Sequence, residues 1–146
     1  MESEIHEQDI SVIDEIKFKD GEYITYYDSG RYLIENYKNN VLDGAHTIYY
    51  SNGVKFIDRF LANENLETMT HEYNDVGILT SKYHEFIDKN NVFVKNGEYI
   101  SFHLNGMTFQ KGIIISGYRY GLWSEYSDEG EKEREIDYDI DPLLLD

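Results

Sequence analysis

The residues in this chain best suited to chemistry are five histidines (His6, His46, His71, His84 and His103) and a large excess of carboxylates, 29 Asp and Glu against 13 Lys and Arg. A protein zinc site needs imidazoles or thiolates spaced so that they share one face, as in His-x-His or His-Glu-x-x-His, and these histidines stand too far apart for either. There is no cysteine, which excludes disulfides, thiolate metal sites and thiol nucleophiles. Asp137, Asp139 and Asp141 alternate like the opening of a calcium loop, but Pro142 stands where such a loop needs its turn glycine. No bidentate glutamate follows, so the reading is a solvated tail. Neither a Gly-x-Ser-x-Gly elbow, a phosphate-cradling glycine loop nor a dinucleotide fingerprint occurs in the sequence. Carboxylate pairs of the glycosidase kind cannot be separated from so acidic a background. The expectation is a binding protein rather than an enzyme, with no metal and no cofactor.

The placement of the charge says more than its total of −16. Residues 1–22 carry eight acids against Lys17 and Lys19, and residues 125–146 carry ten against Lys132 and Arg134, so the middle of the chain is nearly neutral. Acidic ends repel nucleic acid and anionic lipid and attract a cationic surface; the plainer reading is that they serve solubility. Apolar runs such as Ile113 to Ile115 are three residues long, where about 20 would be needed to span a bilayer as a helix. The N-terminal residues lack the basic and apolar regions of a secretory signal, which leads to the expectation of a cytoplasmic protein.

The elements that must position these residues follow from self-similarity. A glycine, an apolar or aromatic residue two later, an aromatic five later and a second glycine nine later recur from Gly21, Gly44, Gly97 and Gly121, with a degenerate copy near Thr68. The second glycines, Gly30, Gly53, Gly77, Gly106 and Gly130, are separated by 23, 24, 29 and 24 residues. Each copy reads as strand, tight turn, strand, with the second glycine in the turn. The pairs Asp20-Gly21, Asp43-Gly44 and Asn96-Gly97 are read as the connections between hairpins. The expected fold is all-β, an elongated antiparallel meander of about five stacked hairpins with short terminal caps. Ten strands would make a sheet about 50 Å long and about 24 Å wide.

The recurrent aromatics Tyr26, Tyr49, Tyr73, Phe102 and Tyr126 are the expected core, each ring packing on its counterpart in the next repeat. The next residues, Tyr27, Tyr50, Asn74, His103 and Ser127, should point to an opposite, exposed face. The 29-residue interval places about six extra residues in 86–95, either as a loop toward a partner or as a lengthened hairpin. Residues 1–19 are read as an N-terminal cap, helix or strand, residues 20–138 as the repeat array, and residues 139–146 as an acidic and apolar tail.

The segments Gly44-Ala45-His46-Thr47-Ile48-Tyr49-Tyr50-Ser51-Asn52-Gly53 and Gly121-Leu122-Trp123-Ser124-Glu125-Tyr126-Ser127-Asp128-Glu129-Gly130 resemble the bacterial variant of the MORN repeat, over roughly residues 20 to 138. The resemblance implies stacked hairpins in an elongated sheet, and many bacterial members are described as antitoxins of the YwqK type. Copy three lacks its leading glycine and only copy five carries the tryptophan. The resulting expectation is an immunity or antitoxin protein that binds a basic protein toxin, possible nucleases included, and neither nucleic acid nor membrane. Glu125, Asp128, Glu131, Glu133, Asp137 and Asp139 are the expected steering charges, and Tyr27 and Tyr50 the aromatic anchors, unless these two pack beneath a cap. The competing expectation is a structural scaffold that associates with itself or another sheet through exposed strand edges.

Overall fold

The computed structural model describes residues 19–62 and 66–139. They form one ten-stranded sheet: β1 (Gly21–Tyr26), β2 (Tyr32–Lys38), β3 (Val41–Tyr49), β4 (Lys55–Leu61), β5 (Glu67–Tyr73), β6 (Leu79–Ile87), β7 (Phe93–Phe102), β8 (Thr108–Ile115), β9 (Tyr118–Tyr126) and β10 (Lys132–Asp137). The spatial order is the chain order and every neighbouring pair is antiparallel, an unbroken meander. No helix is long and apolar enough to cross a membrane among the described residues. The N-terminal cap expected over 1–19 and the tail expected over 139–146 lie outside the described residues except for Lys19 and Asp139.

The second glycine of each repeat does what its spacing predicts. In the first hairpin the Tyr27 amide donates to Arg31 O and the Gly30 amide to Tyr27 O, with Gly30 at φ 93°. This is a three-residue loop closed by one left-handed residue, and it recurs at 50–54, 74–78, 103–107 and 127–131. A sixth copy spans Asp88 to Val92, with Asn91 at φ 63° in the glycine place. The extra residues of 86–95 therefore lengthen the β6–β7 hairpin. They do not form a separate loop.

The first glycines are not connections. Hairpins are joined instead at Asn39-Asn40 (φ 53° and 69°), at 62–66, at 88–92 and at Ser116-Gly117 (φ 48° and 90°). Asparagine tolerates the left-handed region because its short amide bonds locally, and the sequence reading gave that role only to glycine. Gly44, Gly97 and Gly121 lie inside β3, β7 and β9 at positive φ. Each lies in a register break, Gly44 and Gly97 at its middle and Gly121 at its start, where Asn36, His84 or Gly112 of the preceding strand faces three residues instead of one. A Cβ on Gly97 would stand 3.0 Å from that of His84. Such bulges bend a strand and strengthen its twist. The Asx residues before the glycines cap the joining turns: Asp20 Oδ1 accepts from the Asn39 amide and Asn96 Oδ1 from the Ser116 amide.

The curl explains where the core lies. His46 of β3 and Phe93 of β7 have ring centroids 4.8 Å apart, although four strand spacings on a flat sheet would separate them by about 19 Å. The lengthened β6–β7 hairpin folds its end over the concave face. There Arg59 is clamped: its guanidinium lies 3.8 Å from the Phe93 centroid, and Nε donates to Glu85 Oε1 at 2.7 Å. Thr70 donates to the same carboxylate at 2.6 Å. Leu61, Thr68 and Ile87 close the cluster in buried positions. Toward β10 the concave face becomes aromatic, running Tyr83, Tyr99, Trp123, Tyr138 with successive centroids 5.6, 5.5 and 6.2 Å apart.

The expected core ladder stands on the other, convex face. Tyr26, Tyr49, Tyr73, Phe102 and Tyr126 each end an odd-numbered strand, so they share one structural address. None is buried, and Tyr26 is 70 % exposed. The reason is that alternation gave two candidate faces, and the bulges curl the sheet toward the one that holds Leu33, Arg59, Tyr83 and Trp123. The convex tyrosines still stack: Tyr32 lies between Tyr26 and Tyr49, 5.7 and 4.9 Å from them.

Two outcomes follow. Arg59→Met should cost about 3–5 kcal/mol in urea unfolding, because Glu85 is left charged and buried, while Arg59→Met with Glu85→Leu and Thr70→Val should recover most of it. Gly112→Ala would put a methyl 2.3 Å from the Trp123 ring; overpacking of this kind should lower stability by about 1–3 kcal/mol and shift the fluorescence of the chain's one tryptophan.

Candidate protein-binding surface

A meander puts all its within-hairpin turns on one margin of the sheet. Side chains tie neighbouring turns of that margin together in pairs. Tyr50 Oη donates to Tyr73 O at 2.7 Å and Asn52 Nδ2 to Asp75 O at 3.0 Å. Two hairpins further on, His103 Nε2 donates to Tyr126 O at 2.8 Å and Asn105 Nδ2 to Asp128 O at 2.7 Å. In each case one turn holds the corresponding part of the next, 23 residues along. The residues after the ladder aromatics are thus not merely an exposed, freely variable set: their amides close the turns, and Tyr50 and His103 bind the neighbouring hairpin.

What this margin presents to solvent is mixed. Val76 and Leu104 are each 72 % exposed at the turn tips, and Tyr27 and Met107 are exposed beside them. Asp28, Asp75, Asp128 and Glu129 occupy equivalent tips. Arg31 is committed to the aromatic pair Tyr50 and Phe56, 5.1 and 4.5 Å from their centroids. At the β9–β10 end the acids gather. Asp128, Glu129, Glu131 and Glu133 are exposed on one turn and the strand that leaves it, and none is in an ion pair among the described residues.

The residues expected to bind a partner are therefore divided. Asp128, Glu131 and Glu133 come together, with Glu129 added. Tyr27 is exposed but belongs to the first turn, eight strand spacings away, about 38 Å along a flat sheet. Tyr50 is half-buried with its hydroxyl engaged, so it is a packing residue and not an anchor. Glu125 points to the concave face, where Gln110 Nε2 donates to it at 2.7 Å and Arg134 Nε lies 3.3 Å away; this pairing removes it from the steering set. Asp137 and Asp139 are exposed on the opposite margin. Asp137 Oδ1 accepts from the Asp139 amide, and the nearby Asp139 carboxylate holds the Tyr120 hydroxyl above its ordinary pKa.

The sequence reading passed over a second feature, on the convex face. Met69, Lys82, Glu98, Ile100, Lys111 and Leu122 are among the residues lining a groove of about 540 Å³ across β5 to β9. The signal was present in the alternation of these strands, but the face each side chain takes depends on the bulges. Among the described residues no three His, Asp or Glu side chains are grouped to hold a metal ion. No family model matches the chain, and no curated protein matches it.

Two tyrosines report on the packing. Burial, then the nearby Glu35 and Tyr23, pushes the Tyr37 hydroxyl up to about 12. Burial, then Glu72 and Glu85, raises that of Tyr83, which donates to Glu72 Oε1 at 3.0 Å. A tyrosine of the unfolded chain ionises near 10. The stability these two neutral hydroxyls contribute is complete below that pH and is lost as pH rises through the folded values, because only the unfolded chain releases the protons readily. Alkaline titration followed by tyrosinate absorbance and circular dichroism should show a late-ionising class coincident with unfolding, and Tyr37→Phe should move that transition to higher pH.

Proposed function

We propose that this protein is a non-catalytic binding protein of the immunity or antitoxin kind, which neutralises a basic protein toxin by occupying its cationic surface. The observation that carries the reading is the cluster of Asp128, Glu129, Glu131 and Glu133, exposed and without an ion pair among the described residues, on a turn that Asn105 joins to its neighbour. A toxin that acts on a polyanion needs a cationic groove, and fixed carboxylates fill such a groove in place of phosphates with little ordering cost. Exposed Val76, Leu104 and Met107 on the same margin supply apolar contact beside the charge. The similarity to bacterial MORN-type repeats supports the same reading, and a cytoplasmic site of action accords with it.

A second reading, a scaffold that associates through sheet edges, is favoured by the contrast between the two edge strands. β10 is guarded by Lys132, Glu133, Arg134 and Glu135 and by a bulge between Lys132 and Arg134. β1 pairs with β2 in unbroken register and has one charged residue, Glu22. Among the described residues no such guard lies on β1, and edges without guards are where strands add.

The test is affinity capture from native lysate followed by association kinetics with the retained protein. A basic partner is expected, with an on-rate that falls at least about tenfold between low and high salt. The triple variant Asp128→Lys, Glu131→Lys, Glu133→Lys should slow association while leaving the fold intact by circular dichroism. A neutral or acidic partner, or a salt-independent on-rate, would remove the immunity reading in favour of edge association.

A further inference from the structure

The sheet is not knit equally along its length. Among the described residues β4 and β5 pair only at Ile57 with Glu72 and Asp58 with His71, whereas β3 pairs with β4 from Gly44 to Tyr49 and β5 with β6 from Glu67 to Tyr73. Continued in the same register, Phe60 would face Met69. The Thr68 hydroxyl stands there instead, accepting from the Phe60 amide at 3.4 Å and donating to the Met69 carbonyl at 3.3 Å. Two bonds near the limiting length replace a direct backbone bond, and a side chain competes with the ladder for its donors and acceptors.

The two ends of this gap are held by different means. At the turn margin, Tyr50 Oη donates to Tyr73 O and Asn52 Nδ2 to Asp75 O, beside the two direct pairs. At the other end Arg59 of β4 reaches past β5 to Glu85 of β6 and stacks on Phe93 of β7. Thr70 of β5 donates to the same carboxylate, and His46 of β3 packs on Phe93. The polar groups of this closure gain hydration when they part. Arg59 and Glu85 are both buried, and the buried His46 Nδ1 has no hydrogen-bond partner among the described residues. Separation returns two ions and an orphaned nitrogen to water, which offsets much of the loss of their contacts. The burial of Leu61 opposes it.

We infer that the meander carries a latched seam between β4 and β5. It is hinged at the turn margin through Tyr50 and Asn52 and closed by Arg59 and Glu85, and it opens with β1 to β4 and β5 to β10 each intact. Opening bares the concave face at His46, Arg59 and Glu85 without unfolding either part. Asp128 to Glu133 lie wholly within the second part, so their placement is unaffected by the seam.

Amide hydrogen exchange of the full chain, followed by nuclear magnetic resonance at increasing urea, tests the seam. The Phe60 and Met69 amides should exchange at least about tenfold faster than the most protected amides of β7 and β8. Both should share one opening whose urea dependence is above zero and below that of global unfolding, because the two parts separate without melting. In the variant Arg59→Met with Glu85→Leu and Thr70→Val, opening no longer returns ions to water. The two amides should then slow at least about threefold while the circular dichroism of the sheet is kept. Exchange of Phe60 and Met69 only through global unfolding overturns the seam, as does exchange of each by a separate, urea-independent fluctuation. Exchange as fast in the apolar variant as in the parent chain overturns the latch, and the parent measurements decide alone if that variant does not fold.

Discussion

A single sheet has no second layer to cover it, so this protein depends on curvature to make an interior. The glycine-containing bulges at Gly44, Gly97 and Gly121 supply it. Each lets three residues of one strand face one of its neighbour and bends the ladder without breaking it. They lie at the same address in β3, β7 and β9, always against the preceding strand. The result is a concave face on which His46 and Phe93, four strands apart, touch. Without the bends Arg59 and Glu85 would face water, where such a pair contributes little.

The concave interior is made in two ways. In the middle of the sheet it is polar and locked, with Glu85 accepting from both Arg59 and Thr70 while Phe93 covers the guanidinium. A buried pair of this kind adds less stability than its short distances suggest, because both ions were taken out of water. Its geometry nevertheless joins β4, β5, β6 and β7 at one point, since Glu85 binds Arg59 and Thr70 and Phe93 lies over the guanidinium. Toward β10 the interior is aromatic, and Trp123 lies directly on Gly112, filling the space a side chain would take. Rings on a backbone glycine pack closely without needing polar partners, apart from the indole N–H, which donates to Ile113 O at 3.1 Å.

Rigidity of the turn margin connects this interior to function. Tips held by their neighbours through Asn52 and Asn105 present charges at fixed spacing, so little entropy remains to be lost when a partner arrives. The convex face, by contrast, keeps a largely apolar groove that Lys82, Lys111 and Glu98 share. The molecule separates two chemistries: acids on the tips of the last hairpin and lysines over apolar residues on its back.

Turn chemistry is local, and the sequence therefore disclosed it. The five glycine turns, the antiparallel meander, the count of about ten strands and the shared address of Tyr26, Tyr49, Tyr73, Phe102 and Tyr126 all followed from spacing, since a hairpin is specified by residues adjacent in the chain. Which face became the interior did not follow. Strand alternation offers two equivalent faces, and only the sum of bulges across several strands curls the sheet toward one of them. For the same reason Glu125 looked free when it is paired with residues of β8 and β10, Tyr50 looked exposed when it holds the next hairpin, and Gly44 and Gly97 looked like turns when they are bends. Contacts between positions far apart in the chain, such as Arg59 with Glu85 or His46 with Phe93, exist only once that curvature is in place.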